Sequence, residues 1–179
     1  MIKKILLGLV AVIAIILVIA SVKSDDMNVS RSTIVSAPPE AIFKVVNDFR
    51  QWDAWSPWSK LDPKMKKSFE GPSEGVGAIY RWSGNNEVGE GSTTLVASKP
   101  AEMIGMKLEF VRPFAGTSDV QFTFVPEGTG TKVTWAMQSK QPFLGKVAGL
   151  FIDCEKMCGD DFSKGLESLK ETVEATPKP

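Results

Sequence analysis

Histidine is absent from this 179-residue chain, and cysteine and tyrosine are scarce, at two and one. Without histidine the commonest general base, the usual nucleophilic triads and the commonest zinc ligand are missing together. The two cysteines, Cys154 and Cys158, cannot build a disulfide framework. Their spacing is that of neither a zinc knuckle nor a redox pair, and a helical i, i+4 thiol pair has poor bridging geometry, so both read as small apolar residues. Excess charge of either sign is lacking too. Lysine plus arginine total 21, as do aspartate plus glutamate, which leaves no global field to draw the chain to nucleic acid. Asp153, Glu155, Asp160 and Asp161 crowd one segment but read as a solvated helix face, so neither a metal nor a cofactor is expected. "GVGAIY" is no dinucleotide fingerprint, because Tyr80 stands where the third glycine belongs and a strand comes next where a helix is required.

What is present in quantity is apolar: 43% of the residues are hydrophobic, enough for one domain with a real core. The longest run, "ILLGLVAVIAIILVIASV" from Ile5 to Val22, carries no charge over 18 residues and is preceded by Lys3 and Lys4. As a helix it is roughly 27 Å long at about 1.5 Å per residue, close to the hydrocarbon thickness of a bilayer. The competing reading is a cleaved signal peptide, whose apolar region usually covers only about 7–15 residues. Both readings export the rest of the chain. Lys3 and Lys4 favour a cytoplasmic N-terminus, giving a single-pass protein with its domain outside the cytoplasm, periplasmic or extracellular. The expected division is residues 1–26 as anchor and joint, 27–175 as the folded domain and 176–179 as a disordered tail.

The periodicity changes along the domain. "MNVSRSTIVSA" reads as a strand. In "PPEAIFKVVNDF" the residues Ile42, Phe43, Val46 and Phe49 recur at three and four, and the prolines suit a helix start. A short helical piece through Gln51–Trp55 comes next, ended by Pro57, which puts Trp58 on a loop. Alternation then takes over: Ala78, Tyr80 and Trp82; Met106, Leu108 and Phe110; Val120, Phe122 and Phe124; Val133, Trp135 and Met137 each form the inward set of a strand. Arg81 falls on the outward phase. From Leu144 through Val147, Phe151, Cys154, Cys158, Phe162, Leu166 and Leu169 to Val173 a helical rhythm returns, predicting one long covering helix. Its glycines point to close approach or to a bend near Gly159.

A strand, two short helices, a six-stranded antiparallel meander and a long terminal helix make an α+β helix-grip arrangement. From about Val29 to Glu174 the chain resembles the START-like SRPBCC superfamily, in its polyketide cyclase/dehydrase and lipid transport branch. The resemblance rests on "FKVVNDFRQWDAWSPW", "GVGAIYRWSGNNEVGEG", "GTGTKVTWAM" and "GDDFSKGLESLK" in that order. It implies a curved antiparallel sheet wrapped around the long C-terminal helix, here preceded by one transmembrane helix, with an apolar cavity between sheet and helix for lipids or other hydrophobic small molecules. It implies no particular reaction.

Three of the five tryptophans, Trp52, Trp55 and Trp58, fall within seven residues. They either close one end of the core or, for Trp55 and Trp58, form a cavity mouth facing an apolar ligand or the membrane interface. Tyr80, Trp82, Phe110, Phe124, Trp135, Met137, Phe151 and Phe162 point by parity or helical phase to the same interior and are candidate ligand contacts. For catalysis only Asp53 and Tyr80 offer themselves as acid or base, both weakly, and Asp53 reads first as an exposed or capping residue. A membrane-tethered binding domain for a hydrophobic ligand is the leading expectation. A cyclase or hydrolase of the same fold, and a tethered protein-interaction module, are the alternatives.

Overall fold

A computed structural model describes residues 2–175; the expected tail lies outside them. The apolar run forms helix α1 (Ile2–Val22), and the joint 23–25 leads into strand β1 (Asp26–Val35). Helix α2 (Pro39–Asn47) starts at proline, where the missing N–H costs nothing. A 3-10 turn (Phe49–Gln51), capped by the Asp48 side chain on the Arg50 N–H, leads to α3 (Trp52–Trp55). Pro57 ends that helix but also begins a second 3-10 turn (Pro57–Lys60), so Trp58 sits on ordered helical backbone rather than on a loop.

Six strands come next as a meander: β2 (Lys66–Glu70), β3 (Ile79–Ser83), β4 (Glu90–Lys99), β5 (Met103–Arg112), β6 (Gly116–Glu127) and β7 (Gly130–Lys140). With β1 added beside β7 they make one antiparallel sheet in the order β1-β7-β6-β5-β4-β3-β2. Register shifts at Glu90/Gly91 and Leu95/Ala97 of β4 mark bulges, which bend a strand and increase its twist. The expected inward sets of β6 and β7 are buried throughout, and Val29 and Val35 of β1 join them.

The terminal helical segment departs from expectation in one respect. It is two helices, α4 (Phe143–Ala148) and α5 (Cys154–Glu174), separated at 149–153. Asp153 starts the second helix by accepting a hydrogen bond from the Lys156 N–H at 2.9 Å. The apolar rhythm runs through this break, but the backbone does not. Leu144 and Phe151 therefore face outward, 78% and 72% exposed, rather than into the interior. This interruption is not at Gly159, which lies within the continuous α5. Gly159 instead lets α5 approach β1, where a Cβ would collide with the Arg31 guanidinium; Gly165 does the same over Trp135 and Pro57. Phe162, Leu166, Leu169 and Val173 form the buried stripe of α5. That helix covers β1 and β7 and leans on α3, while α2 lies over β5 and β6.

Candidate functional site

The concave face of the sheet has two differently furnished halves. Under α5 the space is filled by rings. Phe162 stacks on Trp135 with centroids 4.1 Å apart and planes 8° from parallel, and Phe122 also stacks on Trp135, at 4.8 Å. Trp55 meets Phe122 and Trp135 edge-on at 6.0 and 5.7 Å, and Trp58 closes the group against Trp135 and Phe162. Phe124 and Met137 are buried alongside. Among the described residues the indole N–H groups of Trp55 and Trp135 have no hydrogen-bond partner, so these tryptophans serve as apolar bulk. Trp55, Phe124, Trp135, Met137 and Phe162 are thus placed in packed core, with Trp58 at its margin, and the expected cavity between sheet and helix is occupied here by side chains.

The half formed by β2 to β5 lies beyond the reach of α5. Cross-strand pairing sets Phe69 opposite Tyr80, and Trp82 opposite Gly91, which is itself opposite Phe110. Rings thereby line up across strands: Phe69 stacks on Tyr80 at 5.5 Å, Tyr80 on Trp82 at 5.8 Å, and Trp82 meets Phe110 edge-on at 5.5 Å. Gly91 makes this possible, because a Cβ there would stand 2.7 Å from Cζ2 of Trp82. The Trp82 indole is locked by donating to the Val88 carbonyl at 2.9 Å. Phe49 bounds the row on the α3 side, 6.1 Å from Tyr80. Phe69 and Phe110 remain 38% and 37% exposed, and Tyr80 and Trp82 are half-buried. The result is a pre-ordered apolar wall open to solvent. Sequence parity identifies three of its members but misses Phe69, whose strand is only five residues long and mostly polar.

Two polar elements border this wall. The Tyr80 phenol is pushed up to about 12, first by burial and then by the negative charge of Asp53, so it stays a neutral hydrogen-bond donor across ordinary pH. Asp53 lies at the surface, held in an ion pair by Lys67 and accepting from the Ser59 hydroxyl at 3.1 Å. Lys67 is the cross-strand partner of Trp82 and stands on the same face. Arg81 points away and pairs with Glu70 at 2.8 Å. Such an arrangement suits an apolar molecule with one polar end: rings for its body, a phenol donor and a rim ion pair for its head.

Phe151 lies apart from this wall. It borders a cleft of about 550 Å³ between the joint after α1, the start of β1 and the α4–α5 break, with Lys23, Asp26, Met27, Gln141 and Leu150. A smaller cleft of about 250 Å³, lined by Arg81, Ser83, Glu90 and Ser92, lies on the side of the sheet to which Arg81 points.

Comparison with known proteins agrees with this architecture. Residues 26–174 match the sequence profile of a family described as polyketide cyclase / dehydrase and lipid transport. No curated protein is similar in sequence. Among solved structures, a Mesorhizobium loti protein superposes with a TM-score of 0.63 at 18% identity, over 85% of this chain and all of its own. A Thermobifida fusca protein gives 0.63 at 21% identity, over 82% of this chain and 92% of its own. The di-domain ARO/CYC BexL of the BE-7585A biosynthetic pathway gives 0.63 at 16% identity, over 88% of this chain and 53% of its own. At these identities the likeness is one of fold.

Proposed function

Since the chain belongs to the polyketide cyclase / dehydrase and lipid transport family, we propose that its domain binds a lipid or similar hydrophobic small molecule, and that α1 tethers this domain to a membrane. The observation that carries the reading is the contrast between the two halves of the concave face. Where α5 lies on the sheet, rings pack to closure. Where it does not, Phe69, Tyr80, Trp82 and Phe110 are held in stacked order yet left accessible. Exposed contiguous aromatic surface is costly to maintain and marks a binding face. The body of the ligand lies along these rings and its polar end reaches Tyr80 or the Lys67–Asp53 pair. α1 supports the tether by composition: it is 21 residues long with a mean hydropathy of 3.3 and is 6% buried.

The test uses residues 26–179, which contain the whole stretch matched by the family profile. Native mass spectrometry with organic extraction of the purified domain should reveal a co-purifying hydrophobic molecule. Trp82→Ala and Phe110→Ser should deplete it, whereas Arg81→Ala on the other face should not. A clean apo mass, together with no uptake of added fatty acid or phospholipid, would overturn the proposal.

A further inference from the structure

The exposed apolar residues of the terminal helical segment are concentrated where α1 ends. α4 packs against the last turns of α1, covering Ala20 completely and half-burying Ile16. The contact is clasped by polar groups. The Lys146 ammonium donates to Asp25 Oδ1 at 2.6 Å and to the Lys23 carbonyl at 3.2 Å, and Lys23 Nζ donates to the Gly149 carbonyl at 2.8 Å. Lys146 is only 9% exposed at its side chain, so α4 is fixed relative to α1. On this fixed element and the turn after it, Phe143, Leu144, Phe151 and Ile152 stand 44%, 78%, 72% and 51% exposed. The outward side of α5 is by contrast charged, with Lys156–Asp160 and Lys164–Asp161 pairs.

Phe114 adds to the pattern. It occupies the β5–β6 turn, and β6 begins opposite the end of β7, so this turn projects from the same end of the sheet as α1 and α4. It is 85% exposed.

We infer that this end of the domain docks on the lipid interface of the membrane in which α1 is anchored, with Leu144 and Phe151 inserted among the acyl chains. The inference rests on the tether proposed above. Its geometry is set by α1: Ile16, where α4 contact begins, lies about 9 Å from the end of α1 at about 1.5 Å per residue. That is the depth, roughly 5–10 Å, to which interfacial helices bury their apolar faces. A bilayer spanned by α1 therefore meets α4 at the same level, and the lipid surface covers side chains that the rest of the fold leaves bare.

Site-directed spin labelling of the full chain in phosphatidylcholine–phosphatidylglycerol vesicles tests the docking. Single labels are placed through Leu144→Cys, Phe151→Cys and, on the outer side of α5, Glu167→Cys, in a Cys154→Ser, Cys158→Ser background. All three sites are exposed, so the labels do not strain the core. Oxygen should relax the labels at 144 and 151 several-fold more effectively than a water-soluble nickel chelate, and the order should reverse at 167. Alkaline carbonate extraction reads the tether separately. Labels at 144 and 151 as open to the chelate as the label at 167, in a chain that resists extraction, would overturn the docking and leave the tether standing. A chain stripped from the vesicles by carbonate would overturn both.

Discussion

Trp135 on β7 and Phe162 on α5 are stacked ring upon ring, 4.1 Å apart and within 8° of parallel. This contact joins helix to sheet at the centre of the domain, with Trp135 3% exposed and further rings on its flanks. Trp135→Ala should lower unfolding free energy by about 3–5 kcal/mol, the range for removing a large aromatic from packed core. Trp82→Ala, on the open wall, should cost less. Urea unfolding of the 26–179 domain, monitored by far-UV circular dichroism, compares the two.

Two glycines of α5 make different predictions. At Gly165 an added Cβ would stand 2.7 Å from Cζ3 of Trp135 and 3.1 Å from Cδ of Pro57, both parts of rigid rings. Overpacking of about 1–3 kcal/mol then opposes the roughly 1 kcal/mol that alanine gains in helix propensity, and Gly165→Ala should destabilise. At Gly159 the obstacle is the end of the flexible Arg31 side chain, 31% exposed, which can swing away at the cost of its 3.4 Å pair with Glu155 and its 2.8 Å hydrogen bond to the Ser30 carbonyl, both at the surface. An exposed pair of that kind is worth at most about 1 kcal/mol. Gly159→Ala should therefore be close to neutral in the same unfolding experiment.

The clasp between the joint and α4 should respond to acid. Lys146 holds the Asp25 carboxyl below its ordinary 3.8, first through their hydrogen bond and then through its charge. A lowered folded-state value means the stabilisation is complete above pH 3.8 and is lost as pH falls through the lowered value. Hydrogen exchange of the 143–148 amides in the full chain, taken relative to the intrinsic rate at each pH, should rise below pH 3.8. Lys146→Met should raise it already at about pH 7 and remove the acid dependence.

Tyr80 is the chain's single tyrosine, so its ionisation can be measured directly by ultraviolet absorbance. The midpoint should fall near 12 in the folded domain and near 10 after unfolding. Because the folded value is the raised one, Tyr80 stabilises the fold fully below pH 10, and that contribution disappears as pH rises through about 12. Asp53→Asn should bring the midpoint down only part of the way, since burial is the larger cause.

Much of the fold is legible in the sequence because alternation and helical rhythm are local properties. Val133, Trp135 and Met137, or Phe162, Leu166 and Leu169, declare their buried faces by spacing alone. The α4–α5 break is not legible that way, since an apolar rhythm records side-chain spacing and is blind to a cap such as Asp153 that restarts the backbone. The same break turns Phe151 outward. The site is less readable still. Parity places Tyr80 and Trp135 on the same concave face, yet which of them is packed over and which is left open depends on where α5 comes to rest, a tertiary outcome. Phe69 joins the open row only through its pairing with Tyr80.

The pairing of β1 with β7 also has a consequence in time. β1 and the joint before it leave the ribosome early, whereas their partners arrive much later: Lys23 and Lys146 are 123 residues apart along the chain. Contacts of such long range are the slow ones to form. Through most of synthesis β1 must wait as an unpaired strand at the end of α1 while the β2–β7 hairpins assemble locally. Completion of the sheet and attachment of α4 to α1 are then a single late event, and a nascent chain stalled before β7 would expose a lone sheet edge beside α1.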